Sequence, residues 1–233
     1  MPKHGKKYRE AADLIEKNKR YSLSEAVALL KKTSTTKFDS SCEIHMHLGV
    51  NPKHAEQMVR STVVLPHGIG RDVRVVAFVN DDYVKEAKSA GAVEAGSEEL
   101  IEKITKGWLD FDVAVATPDM MKSLAKIAKT LGQKGLMPNP KAGTVTQEVG
   151  TTISEIKKGK VEFRTDKLAN LHNSFGKVSF DEAKLLENVK TYLKAVNDVK
   201  PAGVKGNYIK SISLTTTMGP SIHVDIQAAL SEL

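Results

Sequence analysis

Residues 73–79 read Val73-Arg-Val-Val-Ala-Phe-Val79, a near-continuous apolar run. Such a run predicts a strand covered on both faces. The residues after it keep one rhythm. Asp81 or Asp82 can open a helix carrying Tyr83, Val84 and Ala87, and Gly91 sits where that helix would stop. A short strand is expected over 92–95. Ser97-Glu-Glu then opens a helix with Leu100, Ile101 and Ile104 on one side, ended by Gly107. Phe111 to Ala116 reads as a second buried strand. Pro118 suits the first turn of a helix with Met121, Leu124, Ala125 and Ala128 on one stripe, closed by Gly132. Repeated strand–helix units of this size predict a parallel, layered α/β domain.

Outward from this block the style changes. From Phe38 to Val50 the pattern alternates, with Cys42, Ile44, Met46, Leu48 and Val50 on one face and Ser41, Glu43, His45 and His47 on the other. Period two with one apolar face predicts a strand packed on one side and wet on the other. Ser22 can cap a helix running through Leu29 and Leu30. After Gly159 the alternation returns, Val161 and Phe163 against Glu162 and Arg164. Ser179-Phe-Asp-Glu182 has capping-box spacing and opens a long helix through Leu185, Leu186, Val189, Leu193 and Val196, with Pro201 beyond it. Two alternating strands close the chain: Ile212 and Leu214 inward with Ser211, Ser213 and Thr215 outward, then Ile222, Val224 and Ile226 inward with Ser221, His223 and Asp225 outward. Matching ends around a different middle predict two domains: a discontinuous α+β domain of 1–67 and 160–233, and an inserted Rossmann-like α/β domain of 68–159. The joins fall near Pro66–Gly70 and Lys157–Lys160, both rich in breakers.

Charge divides the chain at the same places. The net charge is +7, yet residues 68–159 hold 13 Lys+Arg and 13 Asp+Glu, so the whole surplus lies in the flanks. A charge surplus speaks to partners, and polyphosphate backbones attract such surfaces by counterion release. A hydrophobic fraction of 40% with 27% charged residues is that of a globular chain. The single cysteine, Cys42, excludes an internal disulfide framework and fits a reducing, cytosolic compartment. The basic start, Met1 to Arg9, is followed by no apolar stretch of signal-peptide length, and no run approaches the roughly 20 apolar residues of a membrane span.

Catalytic signatures are weak. Cys42, His45 and His47 are metal-ligand types, but their register puts the thiol on the apolar face and both imidazoles on the polar one, so no metal site is expected. No strand is followed by Gly-x-Gly-x-x-Gly, and no Gly-x-x-x-x-Gly-Lys-Ser/Thr occurs, so no cofactor is expected either. A nucleotide-dependent enzyme using the central Rossmann-like domain stays as the alternative. The binding features are stronger. Lys37 and Phe38 precede the wet strand; Phe38 can stack on a base or begin the core. Arg164, Asp166 and Lys167 cluster at a strand end, with Lys160, His172 and Lys177 nearby, which is either a nucleic-acid contact or a solvated charge cluster. In Thr215-Thr-Thr-Met-Gly-Pro220 three hydroxyls, a Met and a side-chain-free Gly suit approach to a ribose 2′-OH, though Met-Gly-Pro also suits a plain hairpin turn.

Leu65-Pro-His-Gly68, Leu131-Gly-Gln-Lys-Gly-Leu-Met-Pro-Asn-Pro-Lys141 with Gly143-Thr-Val145, Val161-Glu-Phe-Arg164 and Thr216-Thr-Met-Gly-Pro220 resemble the universal L-one stalk family of the large ribosomal subunit, in its bacterial form. The resemblance spans the chain. It implies a non-enzymatic, cytoplasmic ribosomal protein with a split first domain and an inserted Rossmann-like second one. That protein would bind the stalk region of 23S rRNA among other large-subunit components and contact departing tRNA at the exit site. It would also repress translation through its own mRNA leader and be monomeric off the ribosome, with no membrane partner. Carried onto this chain, the implied RNA contacts are Lys37, Phe38, Ser41, Glu43, Arg164, Asp166, Lys167, Ser211, Ser213, Thr215, Thr217, Met218 and Gly219. The resemblance leaves the Leu131–Val145 loop open between facing tRNA and shaping the domain interface.

Overall fold

A computed structural model describes residues 4–233; Met1, Pro2 and Lys3 of the basic start lie outside the described residues. The chain is mixed α/β and forms two compact units, 1–70 with 161–233, and 71–160. The joins thus fall at Gly70/Arg71 and Lys160/Val161, at the ends of the two breaker clusters and three and one residues after the bounds drawn from the sequence.

The split unit begins with α1 (Lys6–Asp13), α2 (Leu23–Lys32), β1 (Ser41–Leu48) and β2 (Arg60–Val64). The central unit follows with β3 (Val75–Phe78), α3 (Asp81–Ser89), β4 (Glu94–Gly96), α4 (Glu98–Thr105), β5 (Val113–Ala116), α5 (Met121–Leu124), α6 (Ala128–Lys134) and α7 (Val149–Lys158). The chain then returns through β6 (Lys160–Arg164), β7 (Asn170–Lys177), α8 (Glu182–Asp198), β8 (Ile209–Thr216), β9 (Ile222–His223) and α9 (Ile226–Ser231).

In the split unit an antiparallel sheet runs β7-β1-β8-β9, beside a β2-β6 pair. Cys42, Ile44, Met46 and Leu48 are buried on one face of β1, as the alternation predicts. They pack in one core with Leu23, Val27 and Leu30 of α2 and with Leu185, Val189, Tyr192, Leu193 and Val196 of α8. The Ser22 hydroxyl accepts from the Glu25 backbone while the Glu25 carboxylate takes the Ser22 backbone N–H, a reciprocal cap. The buried Asn188 of α8 ties three segments: its Oδ1 accepts from His67 N at 3.1 Å, and its Nδ2 donates to Gly68 O at 2.9 Å and Phe175 O at 2.8 Å.

One strand of this unit is new and two expectations change. Residues 170–177 form a strand that the sequence hides, because Asn173 stands in the alternation, its Oδ1 accepting from the Tyr192 hydroxyl at 2.8 Å. Ser179 does not cap α8; Asp181 is its N-cap, and Ser179 N and Oγ donate to Asp39 at 3.0 and 2.8 Å. The last strand stops at His223, since Asp225 accepts from Gln227 N and Ala228 N and so starts α9, which takes up Ile226.

In the central unit the parallel sheet runs β4-β3-β5, and Val145 bridges to Ala116 beyond β5. Every residue of β3 is buried. Val76 and Phe78 face Leu100, Ile104 and Leu124, while Val75 and Ala77 face Val149, Ile153 and Ile156. Helices therefore cover both faces. After Pro118 the expected single helix is broken into 3-10 and α turns over 118–134. Its buried stripe is Met120, Leu124, Ile127 and Leu131 rather than Met121, Ala125 and Ala128. Gly132 lies inside α6, and Gly135 ends it with φ 72°, a left-handed conformation that glycine takes without a Cβ clash. The Leu131–Val145 loop is held to β5, Ala116 N donating to Thr144 O at 2.9 Å.

Candidate nucleic-acid interface

Sheet register decides which side chains share the face of β1 that no helix covers among the described residues. Glu43 sits between Thr215 and Ser174, His45 between Ser213 and His172, and His47 between Ser211 and Asn170. Ser213 lies beside His223 on β9, and its hydroxyl is 3.1 Å from His223 Nδ1. The result is an outer face of hydroxyls, imidazoles and amides.

These groups are linked. His45 Nδ1 and His172 Nδ1 are 2.9 Å apart, so one ring must present a protonated nitrogen to the other. His47 Nδ1 lies 2.9 Å from Asn170 Oδ1. Burial and the neighbouring His172 push the His45 imidazole below its usual range, against the pull of Glu43 at 3.7 Å. Glu43 accepts from the Thr217 hydroxyl at 3.4 Å. The Asp166 carboxylate is held below the usual range by backbone N–H groups of Asn170 and Leu168, so its charge is committed to its own turn.

Two exposed apolar tips mark the ends of this face. At the start of β1, Ser41 N donates to Thr217 Oγ1 at 3.1 Å and Thr217 N to Ser41 O at 3.0 Å. This places the next residue, Met218, at the edge with 75% of its surface exposed and φ 67°. Phe38 is 59% exposed just before β1, so it is not part of the core. At the far end Leu48 N donates to Ala169 O, and Leu168 beside it is 73% exposed. Arg164, Asp166 and Lys167 line a hollow of about 410 Å³ there with Pro52 and Met58.

The expected contacts therefore separate. Ser41, Glu43, Thr215, Thr217 and Met218 come together at one end, with exposed Lys37 and Phe38 upstream in the chain. Ser213 is central, and Ser211 leads toward Arg164, Asp166 and Lys167. Of the three threonine hydroxyls, only that of Thr217 is tied into the open face. Thr215 donates back to Gly219 O at 3.2 Å, and Thr216 is buried with its hydroxyl unpartnered. Gly219 is required from inside, since a Cβ there would collide with the Thr216 hydroxyl. Asn170, His172 and Ser174 join the face through β7, whose strand character the inward Asn173 conceals, and Leu168 joins from the turn before it.

Cys42 is buried on the core side, its thiol pushed up to about 12 by burial, and no group of three or more ligating side chains occurs among the described residues. No described helix is long and apolar enough to cross a membrane.

Residues 30–220 match the ribosomal protein L1p/L10e family. The chain is 52% identical over 226 residues to "Large ribosomal subunit protein uL1" of Thermosipho africanus, covering 97% of each chain. It is 52% identical over 227 residues to the protein of the same name from Fervidobacterium nodosum, again 97% of each. With such coverage and identity, the chain belongs to the ribosomal protein L1p/L10e family.

Proposed function

We propose that this chain is a structural, non-catalytic constituent of the large ribosomal subunit in the cytoplasm, and that residues 1–70 with 161–233 form its RNA-binding domain. The open face of β7-β1-β8-β9 binds the stalk region of 23S rRNA. From that position the protein assists release of deacylated tRNA at the exit site, and the same face binds a similar structure in its own messenger and represses translation. Off the ribosome it is monomeric.

One observation carries this reading: a sheet face rich in hydroxyls and imidazoles is left uncovered between the exposed tips Met218 and Leu168. RNA is read through shape, sugar hydroxyls and stacked bases, which such a face suits. Lys and Arg supply the salt-sensitive attraction, while hydroxyl and apolar contacts supply selectivity. Met218→Asp should weaken binding to a 23S rRNA stalk fragment by on the order of tenfold to a hundredfold. Lys205→Ala should change it far less. Equal effects in a filter-binding assay at fixed salt would remove Met218 from the contact.

The enzyme alternative loses ground at the carboxyl edge of the central sheet, where folds of this kind bind nucleotides. All three crossings there carry acid: Asp81 and Asp82 after β3, Glu98 and Glu99 after β4, Asp119 after β5. These carboxylates would repel a phosphate at helix N-termini that otherwise attract one. Calorimetric titration with ATP, NAD and S-adenosylmethionine tests it; micromolar binding of any of them would restore the enzyme reading.

A further inference from the structure

Beyond Ser211 and His223 the outer face of the split unit's sheet leads into a cleft of about 370 Å³ whose lining includes Lys19, Arg20 and Lys210. Two backbone features assemble these three cations from distant parts of the sequence. Tyr21 pairs with Val224 past β9, its N–H donating to His223 O at 2.9 Å while its carbonyl accepts from Asp225 N at 2.8 Å. Tyr21 is buried, so Arg20, its neighbour on this extended stretch, points to the opposite, outer side. On β8 the register shifts, with Leu48 opposite Ile209 and His47 opposite Ser211, so Lys210 is the extra residue of a bulge. Lys210 and Ser211 are consequently both exposed, where strict alternation would have hidden one of them.

The charge of the cleft is one-sided. Among the described residues no Asp or Glu lines it. Lys19 is paired with Glu16 at 3.2 Å, whereas no carboxylate among the described residues lies within ion-pair distance of Arg20 or Lys210. A second cavity of about 690 Å³ shares Arg20 and Lys210 and adds Lys200 with the carboxamides of Asn197, Asn207 and Gln227. Its single acid among the described residues, Asp225, is engaged in capping α9. Converging like charges repel each other, and a polyanion relieves that repulsion while releasing its own counterions.

We propose that this groove binds the sugar–phosphate backbone of the RNA held on the sheet face, Arg20 and Lys210 each neutralising a phosphate as the strand crosses the β8/β9 border toward Lys200. The inference rests on RNA lying across that face, and its test separates the two ideas. Affinity of the full-length protein for a 23S rRNA stalk fragment is measured from 50 to 200 mM KCl for four proteins: wild type, the double variant Arg20→Gln/Lys210→Gln, Met218→Asp, and a charge-matched control in the central unit, Lys85→Gln/Lys88→Gln. Thermal melting checks that each variant is folded.

Loss of two phosphate contacts should flatten the log–log salt slope by about 1.8, equivalent to roughly a tenfold smaller affinity loss across that salt range, with the control unchanged. An unchanged slope in Arg20→Gln/Lys210→Gln, with Met218→Asp defective, overturns the groove and leaves the sheet face standing. Equal flattening by the control pair also overturns it, as unspecific charge. A flattened slope alongside a fully active Met218→Asp overturns the face and, with it, the groove as its continuation.

Discussion

The β4-β3-β5 sheet of the central unit and the β7-β1-β8-β9 sheet of the split unit differ in how many of their faces are covered. β3 of the central unit has apolar neighbours on both sides and no exposed residue. β1 of the split unit alternates between buried and half-buried residues, because α2 and α8 pack on one side only. A sheet closed on both faces has core and little else to offer; a sheet with one bare face has a surface to present. The hydroxyls, imidazoles and amides of the open face accordingly gather on β1, β7 and β8, and the chain's excess charge gathers in the same unit.

The sharpest way to break this contrast is to place a carboxylate at adjacent strand positions. In β3 both Val76→Asp and Ala77→Asp should destabilise the central unit by several kcal/mol, since each buries an unpaired charge. In β1 Ile44→Asp should do the same to the split unit, while His45→Asp should stay within roughly 1 kcal/mol, because that position is half-exposed. Denaturant unfolding followed separately for each unit gives the answer. Comparable losses at Ile44 and His45 would show that the outer face of β1 is in fact packed.

That alternation was legible in the sequence, and so was the covered style of β3; both come from apolar periodicity, which burial imposes directly. What escaped was decided by single polar contacts, two of them made across the chain and one a local cap. Asn173 turns inward to meet Tyr192 and disguises β7. Asp39 takes Ser179 away from α8. Asp225 converts the expected end of a strand into a helix start. The face itself was half visible: Ser41, Glu43, Ser211 and Ser213 could be placed by period two, but the partners from β7 could not. Within the Thr215–Thr217 run only Thr216 turns its hydroxyl into the core.

A smaller effect should appear on mild acidification. All seven histidines lie in residues 1–70 and 161–233, and His45 is the one that carries the expected effect. His45 titrates below 6.5 when folded, held down by burial and by His172. Below 6.5 the unfolded chain therefore takes up a proton that the folded site refuses, and stability falls as pH falls through that window. In the central unit Asp112 is held below 3.8 by Arg74, so its contribution persists down to that value and is lost only beneath it. Melting of the split unit should weaken from pH 6.5 to 5 and that of the central unit should not; His45→Gln should flatten the difference. An identical slope in His45→Gln would assign the effect to another histidine.

The smallest expected change is the most telling about division of labour. Replacing residues 71–160 by a short flexible linker should leave affinity for the rRNA fragment within about threefold, because the central unit adds almost no net charge to attract phosphate. A folded split unit that has lost its RNA would transfer the contact to the segment removed.

The strand order β7-β1-β8-β9 has a consequence for synthesis. β1 is finished early, yet both strands that flank it are encoded more than 120 residues later. On a growing polypeptide the central unit has all its own strands and helices once residue 160 has emerged, while β1 still waits with both hydrogen-bonding edges bare. Translation thus leaves β1 as an unpaired, half-apolar ribbon for most of the time it takes to make the protein, the interval in which edge-to-edge association with another chain is hardest to avoid. Pauses or truncations downstream of residue 160 should for that reason yield aggregates seeded by the first fifty residues, with the inserted unit natively folded inside them.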